Sequence, residues 1–166
     1  MAGATMSRDV DRAAVYTAED QWSAAIDRGG VIDFFGSRLQ LPVQTRFGSL
    51  PAVQQYVENL QAMYPDISPV SARHRRGDTR AHYSNGVIAI PMAATWACRE
   101  SVLLHEFAHH LNSGSCEGSH APQPAHGPRF RALMVELVGR AQTLESALLL
   151  RSCFESKGLV VPAHVD

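Results

Sequence analysis

The feature that most constrains this chain is the run His105-Glu106-Phe107-Ala108-His109, in which two histidines stand four residues apart. Four residues of α-helix advance about 6 Å and turn about 400°, so both imidazoles leave one face of a helix on successive turns and can bind one metal ion. Glu106 lies about 100° further round, out of reach as a ligand but placed to accept a proton from water at the metal. The spacing therefore predicts a helical metal site that carries its own base.

The residues around this motif favour a substantially buried helix. Four apolar side chains suit such a helix: Val102, Leu103, Phe107 and Leu111. Thr95 is a start signal before the motif, and Asn112 with Gly114 forms a stop signal after it. No glycine or proline interrupts the segment before Gly114, so we expect one continuous helix through the motif.

A catalytic zinc usually keeps three protein ligands and one open position, so a third ligand must come from outside the histidine pair. The downstream candidates are His110, Cys116, Glu117, His120, His126 and Glu136. His110 is disfavoured because it points about 100° away from His109.

His126 is the favoured third ligand. It immediately precedes Gly127 and Pro128 and then an amphipathic stretch, so a helix that begins there would hold it in place. Cys116, Glu117 and His120 remain alternatives in the same loop. A Cys116 thiolate acting as a fourth ligand would close the open position and make the metal structural.

The two motifs together resemble a known family. His-Glu-x-x-His, a loop containing Gly and Ser, and then His126-Gly-Pro-x-Phe resemble the SprT-like group of zincin metalloproteases, and also small bacterial metallohydrolase families, over roughly residues 95–140. The resemblance implies Zn²⁺ held by His105, His109 and His126, with Glu106 as general base. It also implies peptide or protein substrates.

The chain differs from this family in the spacing of its cysteines and in its net charge. SprT-like proteins that act on DNA often add a cysteine-rich zinc module or a basic tail, whereas Cys98, Cys116 and Cys153 form no C-x-x-C pair. A net charge of −1 gives no general attraction for a polyanion, although residues 73–76 with Arg80 form one basic segment. Nucleic acid is therefore a partner that the sequence does not favour.

We accordingly expect a zinc-dependent hydrolase, in the first instance a metallopeptidase. One alternative is a metal-binding or regulatory module without catalysis. Another is a SprT-like protease acting on DNA-associated proteins. The natural substrate and the oligomeric state stay open.

The predicted architecture is one α+β domain of the zincin type, with a small, mostly antiparallel sheet packed against the active-site helix and further helices. A chain of 166 residues can bury such a core without disulfides. We expect residues 1–12 to be a flexible N-terminus and 13–166 to form the domain. No apolar run of 18 residues indicates a membrane span, and the charged N-terminus with an odd number of cysteines favours the cytoplasm.

Turn and capping signals divide the rest of the chain. A helix is expected after Thr17, ending at Gly29 and Gly30, and another from Leu50 to Pro65. A further helical segment is expected over 142–154. Strands are expected at 31–35, 38–43, 70–74, 80–83 and 87–91.

The last two predicted strands flank Ser84-Asn85-Gly86, which is a hairpin signal. Because this hairpin directly precedes the motif helix, residues 79–92 are a candidate docking edge for an extended peptide, or else an ordinary support for the helix. His82 and Tyr83 lie in the same segment. Either could stabilise an oxyanion, but we favour structural roles for both.

Overall fold

The computed structural model describes residues 8–77, 79–114 and 123–164, which form an α+β fold of five α-helices and two small sheets. The helices are α1 (Arg12–Arg28), α2 (Leu50–Ala62), α3 (Glu100–Gly114), α4 (Pro128–Ala141) and α5 (Leu144–Ser156). The strands are β1 (Gly30–Phe34), β2 (Ser37–Leu41), β3 (Ser71–His74), β4 (His82–Ser84) and β5 (Val87–Ile90). Within these residues, no helix combines the length and apolar character that crossing a bilayer requires.

The strands do not form the single sheet that the sequence suggests. β1 and β2 make a separate antiparallel hairpin, while β5 lies between β3 and β4 in a mixed sheet. In that sheet β5 runs parallel to β3 and antiparallel to β4. The predicted hairpin between β4 and β5 is confirmed: Asn85 and Gly86 both have positive φ, as a tight two-residue turn requires.

The predicted start of α2 after Ser49 is confirmed, whereas the predicted start of the motif helix at Thr95 is wrong, because residues 95–97 form a separate 3-10 turn and α3 begins at Glu100. The Ser49 hydroxyl accepts from the amide of Ala52 at the start of α2, and Thr143 does the same for Ser146 at the start of α5. The predicted start of α1 at Thr17 is wrong, because α1 begins at Arg12. The Thr17 hydroxyl instead donates to the carbonyl of Ala13 one turn earlier, as a threonine inside a helix can.

The helix that carries the motif, α3, runs through the centre of the core. It packs against α4 on one side and against β4 and β5 on another, while α1 packs against α5. Large aromatic side chains from four different helices are fully buried there: Trp22, Phe107, Phe130 and Phe154. A helix that is buried on most of its surface holds its side chains in fixed positions, so the motif residues are set by the core.

Candidate metal centre

The structure brings His105, His109 and His126 together. His105 and His109 leave α3 on successive turns, and His126 stands just before Pro128, the first residue of α4. The Nε2 atom of His105 lies 3.1 Å from Nε2 of His109 and 3.3 Å from Nε2 of His126. Two nitrogens bound to one tetrahedral zinc ion lie about 3.4 Å apart, so this spacing fits such an ion.

Two carboxylates hold the outer nitrogens of these rings. The Glu19 carboxylate lies 2.6 Å from Nδ1 of His105, and the Asp9 carboxylate lies 2.6 Å from Nδ1 of His126. A carboxylate at Nδ1 keeps the proton there and leaves the Nε2 lone pair free, which is the usual arrangement around a histidine that binds a metal. Both rings therefore turn an acceptor nitrogen toward the same point.

The protonation of the cluster also suits a cation at its centre. Burial, together with the neighbouring His105 and His126, lowers the pKa of His109 to about 2, and burial lowers the pKa of His126. Burial opposes charge on His105 as well, but the Glu19 carboxylate outweighs it and the pKa of His105 is raised. Glu19 thus favours a positive charge at His105, which a metal ion on Nε2 would supply.

Glu106 is buried beside the cluster, with 7% of its surface exposed. Its carboxylate lies close to the backbone of Tyr83 in β4. Burial raises the pKa of Glu106, against the opposing effect of His105. A carboxylate with a raised pKa in this position is suited to exchange protons with a group at the metal.

The segment before α1 also holds His126 in position, through a contact of Asp11 with Arg131. The buried Arg131 guanidinium donates from one nitrogen to the Asp11 carboxylate and to the carbonyl of His126, each at 2.8 Å. Its Nε donates to the carbonyl of Val160. Of the segment 1–12 that the sequence predicts to be flexible, the structure describes residues 8–12, and these are tied to the metal centre through Asp9 and Asp11.

Neither of the other candidate ligands among the described residues joins the histidine cluster. His110 is not directed at the cluster: its Nδ1 lies 2.9 Å from the Tyr83 hydroxyl and its Nε2 lies 2.8 Å from the carbonyl of Ser68. Glu136 lies on the surface in an ion pair with Arg140. The remaining candidates lie outside the described residues: Cys116, Glu117 and His120.

Sequence reasoning missed Asp9, Glu19 and Arg131. A signal for Glu19 was present, because it stands four residues after Val15 and three before Trp22, on the apolar face of α1. A carboxylate in such a stripe needs a buried partner. Asp9 and Arg131 have no comparable signal, since their contacts join parts of the chain more than 100 residues apart.

The cluster opens into a cleft with two pockets. One has a volume of about 330 Å³ and extends toward Trp96 and Arg99, and the other has a volume of about 500 Å³ and extends past His82 and His126. Five residues line both pockets: Arg12, Tyr16, Arg80, Ala81 and Glu106. Glu106 therefore lies where the two pockets meet.

Tyr16 of α1 forms one wall of this junction. Its ring is stacked on His105 at a centroid distance of 5.2 Å and lies 5.3 Å from the ring of His126. Burial and the negative charge of Glu106 raise the pKa of the Tyr16 phenol. The phenol is thus held neutral beside His105 and His126.

A scan against protein-family models, a search of curated proteins and a search of solved structures each found no match to this chain. What the chain does must therefore be inferred from its own geometry: three converging imidazole nitrogens, two supporting carboxylates and a buried glutamate in a cleft.

Proposed function

We propose that this protein is a zinc-dependent hydrolase and, in the first instance, a metallopeptidase. His105, His109 and His126 would hold the Zn²⁺ ion, and Glu106 would act as general base. The observation that supports this is the convergence of three Nε2 atoms next to a buried glutamate at the junction of two pockets. A site with three imidazole ligands and access to solvent is typical of catalytic rather than structural zinc.

Zinc at this site would supply Lewis acidity, which polarises a carbonyl and lowers the pKa of water toward about 7. The protein's own groups would do the rest. Glu106 would accept a proton from a water molecule in the cleft and return it to the leaving amine. Glu19 and Asp9 would hold the rings of His105 and His126 in their binding orientation.

A peptide is the proposed substrate because the cleft runs along the edge of a sheet. β4 is an edge strand of the mixed sheet, and its residues His82 and Tyr83 line the larger pocket. An extended chain could add to this edge while its scissile bond lies beside Glu106. Of the basic segment, Arg80 lines both pockets but residues 73–76 line neither, and the net charge of the chain is −1, so we do not favour nucleic acid as the partner.

The alternative of a non-catalytic metal-binding module would require a fourth protein ligand. Within the described residues the cluster has three members, and none of the other candidate ligands among them points at it. A buried glutamate beside the cluster and an open cleft also favour catalysis.

The test combines metal analysis with a cleavage assay. Purified protein should contain about one zinc per chain and should cleave fluorescein-labelled casein, while E106Q should keep the zinc and lose cleavage. H126A should lose most of the zinc. Protein that never retains metal, or an E106Q variant with full activity, would exclude the proposed function.

A further inference from the structure

We propose that Tyr16 is a catalytic residue, whose phenol O–H donates a hydrogen bond to the carbonyl oxygen of the scissile bond as that oxygen becomes negative. This inference rests on the proposed hydrolase function and names a residue of the same site. Tyr16 lies in α1, outside the segment that carries the motif. It would act only as a hydrogen-bond donor, so no bond of the phenol is broken.

The position of the ring supports this role. It lies face to face with His105 and against His126, and it lines both pockets together with Glu106. The side chain is nevertheless 39% exposed, so it faces the open cleft as well as the metal ligands. A group in this position would adjoin a carbonyl that is bound at the metal and attacked from the side of Glu106.

The neighbour of the phenol leaves its proton available. The Arg12 guanidinium lies 5.6 Å from the centre of the Tyr16 ring and is a positively charged neighbour of the phenol. A guanidinium has donors and no acceptor, so Arg12 cannot accept a hydrogen bond from the phenol O–H. The O–H of Tyr16 is then free to donate to a substrate oxygen, and Arg12 acts as a positioning residue.

The other tyrosine at the cleft is less suited to the task. The Tyr83 hydroxyl lies 2.9 Å from Nδ1 of His110 and 3.0 Å from the Ser113 hydroxyl, and it accepts a hydrogen bond from the amide of Gly86. These contacts hold β4 against α3 and engage the hydroxyl within the protein. The oxyanion role considered for Tyr83 from the sequence therefore passes to Tyr16 in this proposal.

A purely structural role for Tyr16, as a ring that covers His105 and His126, would be filled equally well by phenylalanine. Y16F removes the hydroxyl and keeps the stacked ring, so it separates the two roles. Y64F is a matched control: Tyr64 packs against Phe107 on α3, and its buried hydroxyl has no hydrogen-bond partner among the described residues. Tyr64 lines neither pocket.

The experiment uses the full chain loaded with zinc. Turnover is measured with a quenched-fluorescent peptide whose sequence contains a cleavage site mapped in casein. Calorimetry measures the binding of phosphoryl-leucine amide, because its tetrahedral phosphoryl group mimics the developing oxyanion. Loss of one oxyanion donor should lower kcat about 10²–10³-fold in Y16F with little change in KM. The Kd of the phosphoryl probe should rise about tenfold or more, while Y64F should match the wild type in both.

The outcomes separate this proposal from the proposed function. If E106Q is inactive but Y16F has wild-type kcat and probe affinity, the hydrolase function stands and the role of Tyr16 is excluded. If Y16F loses zinc, its phenol serves the structure of the centre and the proposal also fails. If the wild type cleaves no peptide, the proposed function fails. The role of Tyr16 is then tested only by the Kd of phosphoryl-leucine amide, and equal Kd values for wild type and Y16F would overturn it.

Discussion

The Glu19 carboxylate lies 2.6 Å from Nδ1 of His105 although 86 residues separate them in the chain. This contact joins α1 to α3 and determines which nitrogen of His105 faces His109 and His126. The Asp9 carboxylate does the same for His126. The orientation of two of the three proposed ligands therefore depends on carboxylates that belong to a distant part of the sequence.

E19Q and D9N should each weaken zinc binding about 10–100-fold, because a neutral partner makes the imidazole a poorer ligand and fixes its orientation less firmly. Competition with a chromophoric chelator measures the change. E58Q, on the exposed face of α2, is the matched control and should leave zinc affinity unaltered. Unchanged affinity in both E19Q and D9N would show that these carboxylates do not support the metal.

E106Q should lower kcat about 10²–10⁴-fold, which is the usual contribution of a general base. It should also unfold at the same temperature as the wild type or slightly above it, because burial raises the pKa of Glu106 and a neutral amide costs less to bury than a carboxylate. Thermal unfolding monitored by circular dichroism, with zinc content measured in parallel, tests the second expectation. A variant that unfolds well below the wild type would indicate that Glu106 is needed for the fold.

Removing the metal with a chelator should destabilise the protein. A ligand held at about 100 times its Kd stabilises a folded chain by about 2.7 kcal/mol, which corresponds to roughly 5–10 °C in Tm for a domain of this size. Calorimetric scans before and after dialysis against a chelator measure this shift. H126A should show a much smaller shift; an equal one would mean that the metal binds elsewhere.

S146A should lower the free energy of unfolding by about 1–3 kcal/mol. The Ser146 hydroxyl is fully buried, accepts a hydrogen bond from the Trp22 indole and donates to the Gln142 side chain. Alanine would leave the indole N–H buried without an acceptor. Chemical denaturation measures the loss, and S152A on the half-exposed side of α5 is the control, for which we expect a change within about 0.5 kcal/mol.

Local signals in the sequence were sufficient to predict much of the fold. The cap at Ser49, the turn at Asn85 and Gly86, and the helix start at Pro128 each depend on a few neighbouring residues, and the structure places element ends at all of them. Thr17 shows where such reasoning fails. A threonine that can cap a helix can also bond back to a carbonyl within one, and Thr17 does the second because α1 already includes the buried Val15 before it.

The motif histidines were predictable because helix geometry fixes their relation to each other. His126 required a further inference, since its approach to His105 depends on how α4 packs against α3. Other contacts depend on the whole fold and could not be predicted from the spacing of nearby residues. These are the parallel pairing of β3 with β5 and the contacts of Asp9 and Tyr16 with the histidine cluster.

The contact between Asp9 and His126 spans 117 residues, so the centre is completed only when both ends of this interval have been synthesised and have docked. During translation, a nascent chain whose α4 is still inside the ribosome would lack a correctly placed His126. Because His126 is both the third proposed ligand and the partner of Asp9, the centre would be incomplete. Full-affinity metal uptake should thus be a late event in biogenesis. The absorption spectrum of a cobalt-substituted centre would then serve as a reporter of complete folding.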